Sequence, residues 1–134
     1  GAIVDARDTQ GNTPLHYGAS LCFKNAVAKL LDAGADPLIR DQDGKTVLHK
    51  VANADIGCTA TAARLIDLGV GVNTRCNKGF TPLHIASEGG RIDFVRMLID
   101  EGANKNVTAN DGSTPLRCAA RAPDVDVLKF LLES

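Results

Sequence analysis

One four-residue phrase returns four times along this chain at nearly constant spacing. It reads Thr13-Pro14-Leu15-His16, Thr46-Val47-Leu48-His49, Thr81-Pro82-Leu83-His84 and Thr114-Pro115-Leu116-Arg117. The threonines lie 33, 35 and 33 residues apart. A fixed period of roughly 20–50 residues marks an array of one supersecondary unit rather than a globule with a single centre. Such a chain builds its core in layers, and its function is sought on a surface.

The third copy shows what the unit is. Asn77-Lys78-Gly79-Phe80 reads as a turn, because glycine supplies a backbone shape that other residues resist. Thr81 can cap a helix, and Pro82 suits its first turn, where the missing N–H has no partner to lose. A short apolar helix runs from Leu83 to about Ser87, and Glu88-Gly89-Gly90 breaks it. Asp93 opens a second helix, with Phe94, Val95, Leu98 and Ile99 at three- and four-residue intervals. Gly102 ends that helix, as Gly34 and Gly69 do in earlier copies. The unit is turn, helix, turn, helix, extended loop. One helix pair cannot bury its apolar stripe alone, so the copies must stack.

The column of Leu15, Leu48, Leu83 and Leu116 and the pairs Leu30-Leu31, Leu65-Ile66, Leu98-Ile99 and Leu131-Leu132 supply the expected core. Aromatic residues are only 4% of the chain, so aliphatic layers must carry it. The net charge of −1 supplies no electrostatic reason for nucleic acid or an anionic membrane as partner. No signal peptide or membrane-spanning run stands out. Cys22, Cys58, Cys76 and Cys118 contain no Cys-x-x-Cys pair, so zinc and thioredoxin-like readings lack support. They read as reduced thiols in a cytoplasmic or nuclear protein.

The Thr-Pro-Leu-His phrase, the glycine two places before it, and the close Leu30-Leu31-Asp32-Ala33-Gly34-Ala35 resemble the ankyrin repeat along the whole chain. The resemblance implies an all-α solenoid of stacked antiparallel helix pairs with β-hairpin or loop fingers. It divides residues 1–134 into a tail of a preceding repeat (1–7) and repeats at about 8–40, 41–75, 76–108 and 109–134. The chain thus reads as a piece of a longer array. The resemblance also implies a concave face that binds another protein, and neither catalysis nor a cofactor. It implies that His16, His49 and His84 bond their threonines and the backbone between repeats. A metal reading of these three fails on distance, because stacked helices stand roughly 8–10 Å apart. Asn73 and Asn106 fall in a column that resembles the asparagine hydroxylated in some ankyrin proteins.

The copies also disagree. Two residues are added in the second copy, within or beside Asn53-Ala54-Asp55-Ile56-Gly57-Cys58, which predicts a longer turn. Gly18 stands where alanine would fit a helix better, by about 1 kcal/mol. The turn residues Asp8 and Asp41 become Cys76 and Ala109, removing a side-chain acceptor. Arg7, Arg40 and Arg75 form a column, read either as cations pairing with Asp8 and Asp41 or as a strip for an acidic partner. Asp32, Asp67, Asp100 and Glu133 form another column, expected to face water.

Specificity must lie in such differences. The finger tips offer Gln10 and Asn12, Asp43 and Lys45, Lys78 and Phe80, and Asp111 and Ser113. Phe80 is the large apolar member of the column it shares with Asn12, Lys45 and Ser113, which makes it a candidate hot spot. The other reading folds Phe80 onto its neighbours. The inner helix ends add Leu21, Asn53, Glu88 and Arg121. The reading is a protein–protein interaction scaffold, monomeric or part of a larger chain. The alternatives are a regulatory inhibitor of an enzyme such as a protein kinase, or a structural spacer.

Overall fold

The computed structural model describes residues 3–54 and 58–134, so part of the two-residue insertion lies outside the described residues. The described residues form four helix pairs. Their helices are α1 Pro14–Ser20, α2 Lys24–Asp32, α3 Val47–Ala52, α4 Thr59–Asp67, α5 Pro82–Glu88, α6 Ile92–Asp100, α7 Pro115–Ala119 and α8 Asp126–Glu133. The first helices are short because each begins at a threonine cap and meets a break within two turns. Thr13, Thr81 and Thr114 are extended at the cap and accept from the backbone N–H three residues on, and proline follows each. Val47 replaces proline in α3, and the helix still starts at the same place. Residues 53–58 separate α3 from α4, where 21–23 separate α1 from α2 and 89–91 separate α5 from α6.

The inner helices pack in sequence, α1 on α3, α3 on α5 and α5 on α7. The outer helices follow, with Arg64 reaching back to Asp32 at 3.3 Å and Arg96 lying 4.9 Å over the Phe130 ring. Leu15, Leu48, Leu83, Leu65, Leu98 and Leu131 fill the layers between, each adding roughly 2 kcal/mol of burial. Leu116 departs from its column. It is exposed on α7.

The fingers are hydrogen-bonded turns, and no strand occurs among the described residues. The Asp41 N–H donates to Lys45 O at 3.0 Å and the Gly44 N–H to Asp41 O at 2.9 Å, and the same pair of bonds recurs in the other fingers. Adjacent fingers are joined as well: Gln42 N–H donates to Gln10 O (2.8 Å), Asn77 N–H to Asp43 O (2.8 Å) and Asn110 N–H to Lys78 O (3.0 Å). A glycine permits this approach at each joint, Gly11, Gly44 and Gly79 in turn. Gly44 and Gly79 have φ of 77° and 84°. A Cβ on them would stand 3.0 Å from Asn77 N and 2.9 Å from Asn110 N.

Three expectations need correction. Gly18 is not simply a poor alanine: a Cβ there would meet Val27 Cγ2 at 3.2 Å, so the missing side chain lets α2 close onto α1. Two members of the arginine column reach the next finger instead of pairing with a neighbouring aspartate: Arg7 Nη2 donates to Arg40 O at 2.6 Å and Arg75 Nη2 to Thr108 O at 3.1 Å. The cysteines are not all thiols. Cys22 and Cys58 form a disulfide between the inter-helix turns of the first two pairs, Cα to Cα 6.2 Å. Two cysteines far apart in sequence and without a motif become neighbours only through stacking. Cys76 and Cys118 stay free and buried.

Candidate functional site

The repeated histidine is the first element of the concave face. In each of the first three pairs its Nδ1 accepts from the threonine backbone N–H, at 3.0, 3.1 and 3.1 Å for His16, His49 and His84. That bond leaves the proton on Nε2, which donates to a carbonyl of the next finger. The partners are Lys45 O at 3.3 Å, Phe80 O at 2.9 Å and Ser113 O at 3.0 Å. Burial lowers all three imidazole pKa values, and His49 falls to about 4. A second proton would also face the threonine N–H. These rings hold fingers to helices, with both nitrogens occupied.

Between finger and inner helix the pairs differ. In the first, Tyr17 donates its hydroxyl to Asp8. In the second, Lys50 Nζ meets Asp41 Oδ2 at 2.8 Å. Asp41 Oδ1 also accepts from the backbone of Asp43 and Lys45, at 2.9 Å each. Burial pushes the Asp41 carboxyl up, but the Lys50 ammonium and those amides outweigh it and leave its pKa lowered. The third and fourth pairs place Cys76 with Ile85 and Ala109 with Cys118, all apolar. The turn acceptor lost at Ala109 is partly replaced, because Asp111 Oδ1 accepts from Ser113 N–H at 2.9 Å.

Where polar gives way to apolar, a groove of about 520 Å³ opens between the second and third pairs. Phe80 and Ile85 form its apolar floor with the His84 ring, and Lys45, Lys50 and Lys78 face Asp43 and Glu88 around it. Phe80 is half-buried and stands edge-on to His84, centroids 5.5 Å apart. It rests against an imidazole and still lines the groove.

The groove gathers six residues singled out in the sequence: Asp43, Lys45, Asn53, Lys78, Phe80 and Glu88. It does not gather the others. The column of Phe80 leans inward, so Asn12 and Ser113 are buried at 8% and 2% exposure instead of facing out. Gln10 and Asp111 are exposed on other fingers. Leu21 is exposed beside Tyr17 and Phe23 in a separate hollow of the first pair. Arg121 sits beyond the rim, 3.6 Å from Glu88 in an open ion pair worth little. Sequence reasoning missed Lys50 and Ile85. They follow the phrase histidine directly, in a column that reads Tyr17, Lys50, Ile85, Cys118. That disagreement among copies was the available signal. Asn73 bridges to the next loop through Gly102 O at 3.1 Å and Asn104 N–H at 2.8 Å, whereas Asn106 is exposed.

Stacked helix pairs, finger turns joined edge to edge and an open concave groove define a solenoid interaction module. The chain belongs to the ankyrin-repeat family: the family model for ankyrin repeats (3 copies) matches residues 22–109 and 54–134. It is 37% identical over 90 residues to the Neurogenic locus Notch protein of Drosophila melanogaster, covering 66% of this chain and 3% of that protein. It is 34% identical over 83 residues to NF-kappa-B inhibitor delta of Mus musculus, covering 62% of this chain and 25% of that protein. It is 35% identical over 88 residues to Neurogenic locus notch homolog protein 4 of Homo sapiens, covering 66% of this chain and 4% of that protein. The chain therefore matches at most a quarter of the length of these relatives. Ankyrin repeats are general protein-interaction modules, typically without enzymatic activity. No helix among the described residues is long and apolar enough to cross a membrane.

Proposed function

We propose that this chain binds a segment of a partner protein in the groove between its second and third helix pairs. The observation that carries the reading is the coincidence of the groove with the place where the copies disagree. Phe80, Lys45, Lys50 and Ile85 are the variable members of two columns, and all four line it. The chemistry suits an extended segment with one apolar anchor for the Phe80–Ile85 floor and charged flanks for the lysines and carboxylates. A scaffold tied finger to finger loses little freedom when it binds. Cytoplasmic or nuclear residence belongs to this same reading.

Regulatory inhibition is a second reading, and its support is the relative named NF-kappa-B inhibitor delta. A kinase inhibition assay on the isolated chain separates inhibitor from scaffold. The groove itself is tested by affinity capture with wild type and with a Lys45→Ala/Phe80→Ala variant, followed by calorimetry on the captured partner. Phe80→Ala should weaken binding by about 1–2 kcal/mol. Its cost to stability should stay near 1 kcal/mol, the scale of an edge-to-face ring contact. Unchanged affinity removes the groove from the proposal.

A further inference from the structure

We propose that Cys22 and Cys58 form a reversible thiol–disulfide exchange site for small thiols and disulfides of the glutathione class. It would lock and release the junction between the first two helix pairs. The bridge connects inter-helix turns of neighbouring pairs, with Cα atoms 6.2 Å apart. That separation is ordinary for a bridged pair. The bridge adds a covalent tie to a junction that α1 on α3, His16 and Arg7 already hold.

The two sulfurs are placed unequally. Cys22 is half-buried in a surface turn, whereas Cys58 is wholly buried. Cys58 also stands at the N-terminus of the nine-residue α4, where aligned backbone dipoles favour a thiolate. An incoming thiolate reaches Cys22, and the Cys58 sulfur leaves into that field. Cys22 is the one non-glycine residue among the described residues with positive φ, at 57°. Gly90 holds the same turn in the third pair with φ 70°. A side chain in this shape carries a conformational cost, and here its sulfur is used in a bond.

The second turn is gripped from its other side too. Arg91 of the third pair donates to Ala52 O at 3.0 Å and to Asn53 O at 3.2 Å. Opening the bridge removes its covalent link to the first pair and leaves the Arg91 bonds to the third. The remaining thiols are unsuited to compete. Cys76 and Cys118 are buried, and burial with the nearby Glu88 charge pushes the Cys118 thiol up to about 11.

Closure balances as two exchanges. The Cys22 thiolate attacks one sulfur of a small disulfide, forming a mixed disulfide and releasing one small thiolate. The Cys58 thiolate then attacks the Cys22 sulfur and expels the second. Two protein S–H bonds are replaced by one S–S bond, the small disulfide is reduced, and the two protons end on two small thiols. Opening is the reverse.

The test equilibrates the whole chain in buffers of varied reduced and oxidised glutathione and traps thiols by alkylation for mass spectrometry. Cys22 and Cys58 should titrate together in one reversible step. A bridge that persists in reduced glutathione makes the pair a static staple and overturns the proposal. So does a pair that stays open in oxidised glutathione. The order of attack is checked with single variants. Cys58→Ser should accumulate a glutathione adduct on Cys22, and Cys22→Ser should label at Cys58 at least about tenfold less. Equal labelling overturns the assignment of Cys22 as the entry sulfur.

Discussion

Each helix pair sets one finger residue above one inner-helix residue, and the two halves of the molecule fill those positions with opposite chemistry. The first half uses Asp8 with Tyr17 and Asp41 with Lys50, both hydrogen-bonded. The second half fills the same two positions with Cys76 and Ile85 and with Ala109 and Cys118, which carry no charge. The first half also carries the disulfide, and the second carries the groove's aromatic wall. A repeat scaffold held by columns of identical residues thus tolerates a complete change of polarity along one face. The groove sits on that boundary.

The largest expected effect comes from the bridge. Reducing Cys22–Cys58 should lower stability in urea by up to about 4 kcal/mol, the chain-entropy value for a cross-link of this span. The loss should appear in the first half alone by hydrogen exchange, because stability in a stacked array is local. Uniform loss across all four pairs would break the comparison.

Acid should come next. The buried imidazoles are neutral in the fold, and His49 has its pKa lowered to about 4. As pH falls below about 6.5 the unfolded chain takes up protons that the folded chain refuses. Stability is therefore complete above about 6.5 and declines toward pH 4, by up to about 3 kcal/mol for His49. Arg117 replaces histidine in the fourth pair, so its finger-to-helix contact should show no such dependence by NMR titration.

Exchanging the polarity should sharpen the comparison. Asp41→Ala removes the Lys50 partner and two backbone bonds, at a cost of about 1–3 kcal/mol by thermal melting. Ala109→Asp should also destabilise, by about 1–3 kcal/mol, because no cation waits in α7 at the matching position. Adding Cys118→Lys should recover part of that loss. The smallest effect is Gly18→Ala, within about 0.5 kcal/mol of neutral, because the helical gain meets the 3.2 Å contact with Val27. A clear stabilisation would show that α2 has room to move away.

The scaffold was legible in the sequence because repetition multiplies each local signal. The threonine caps, the glycine stops and all of the leucine column but Leu116 stand where their spacing predicts, and the histidines bond as the resemblance implies. What escaped were properties that exist only once copies are stacked. The Cys22–Cys58 bridge joins two turns that no motif connects. Arg7 and Arg75 find carbonyls of the next finger, which a reading confined to one unit cannot see. The inward lean of Asn12 and Ser113 depends on finger orientation rather than on residue type. Lys50 and Ile85 were readable in principle, since their column varies most in chemistry.

Gly44 and Gly79 each stand where one added carbon would press on the backbone of the next finger. An absent atom thus keeps the finger edge zipped, main chain to main chain, at 2.8 and 3.0 Å. Alanine at either position should unzip one joint and leave the helix layers beneath it in place.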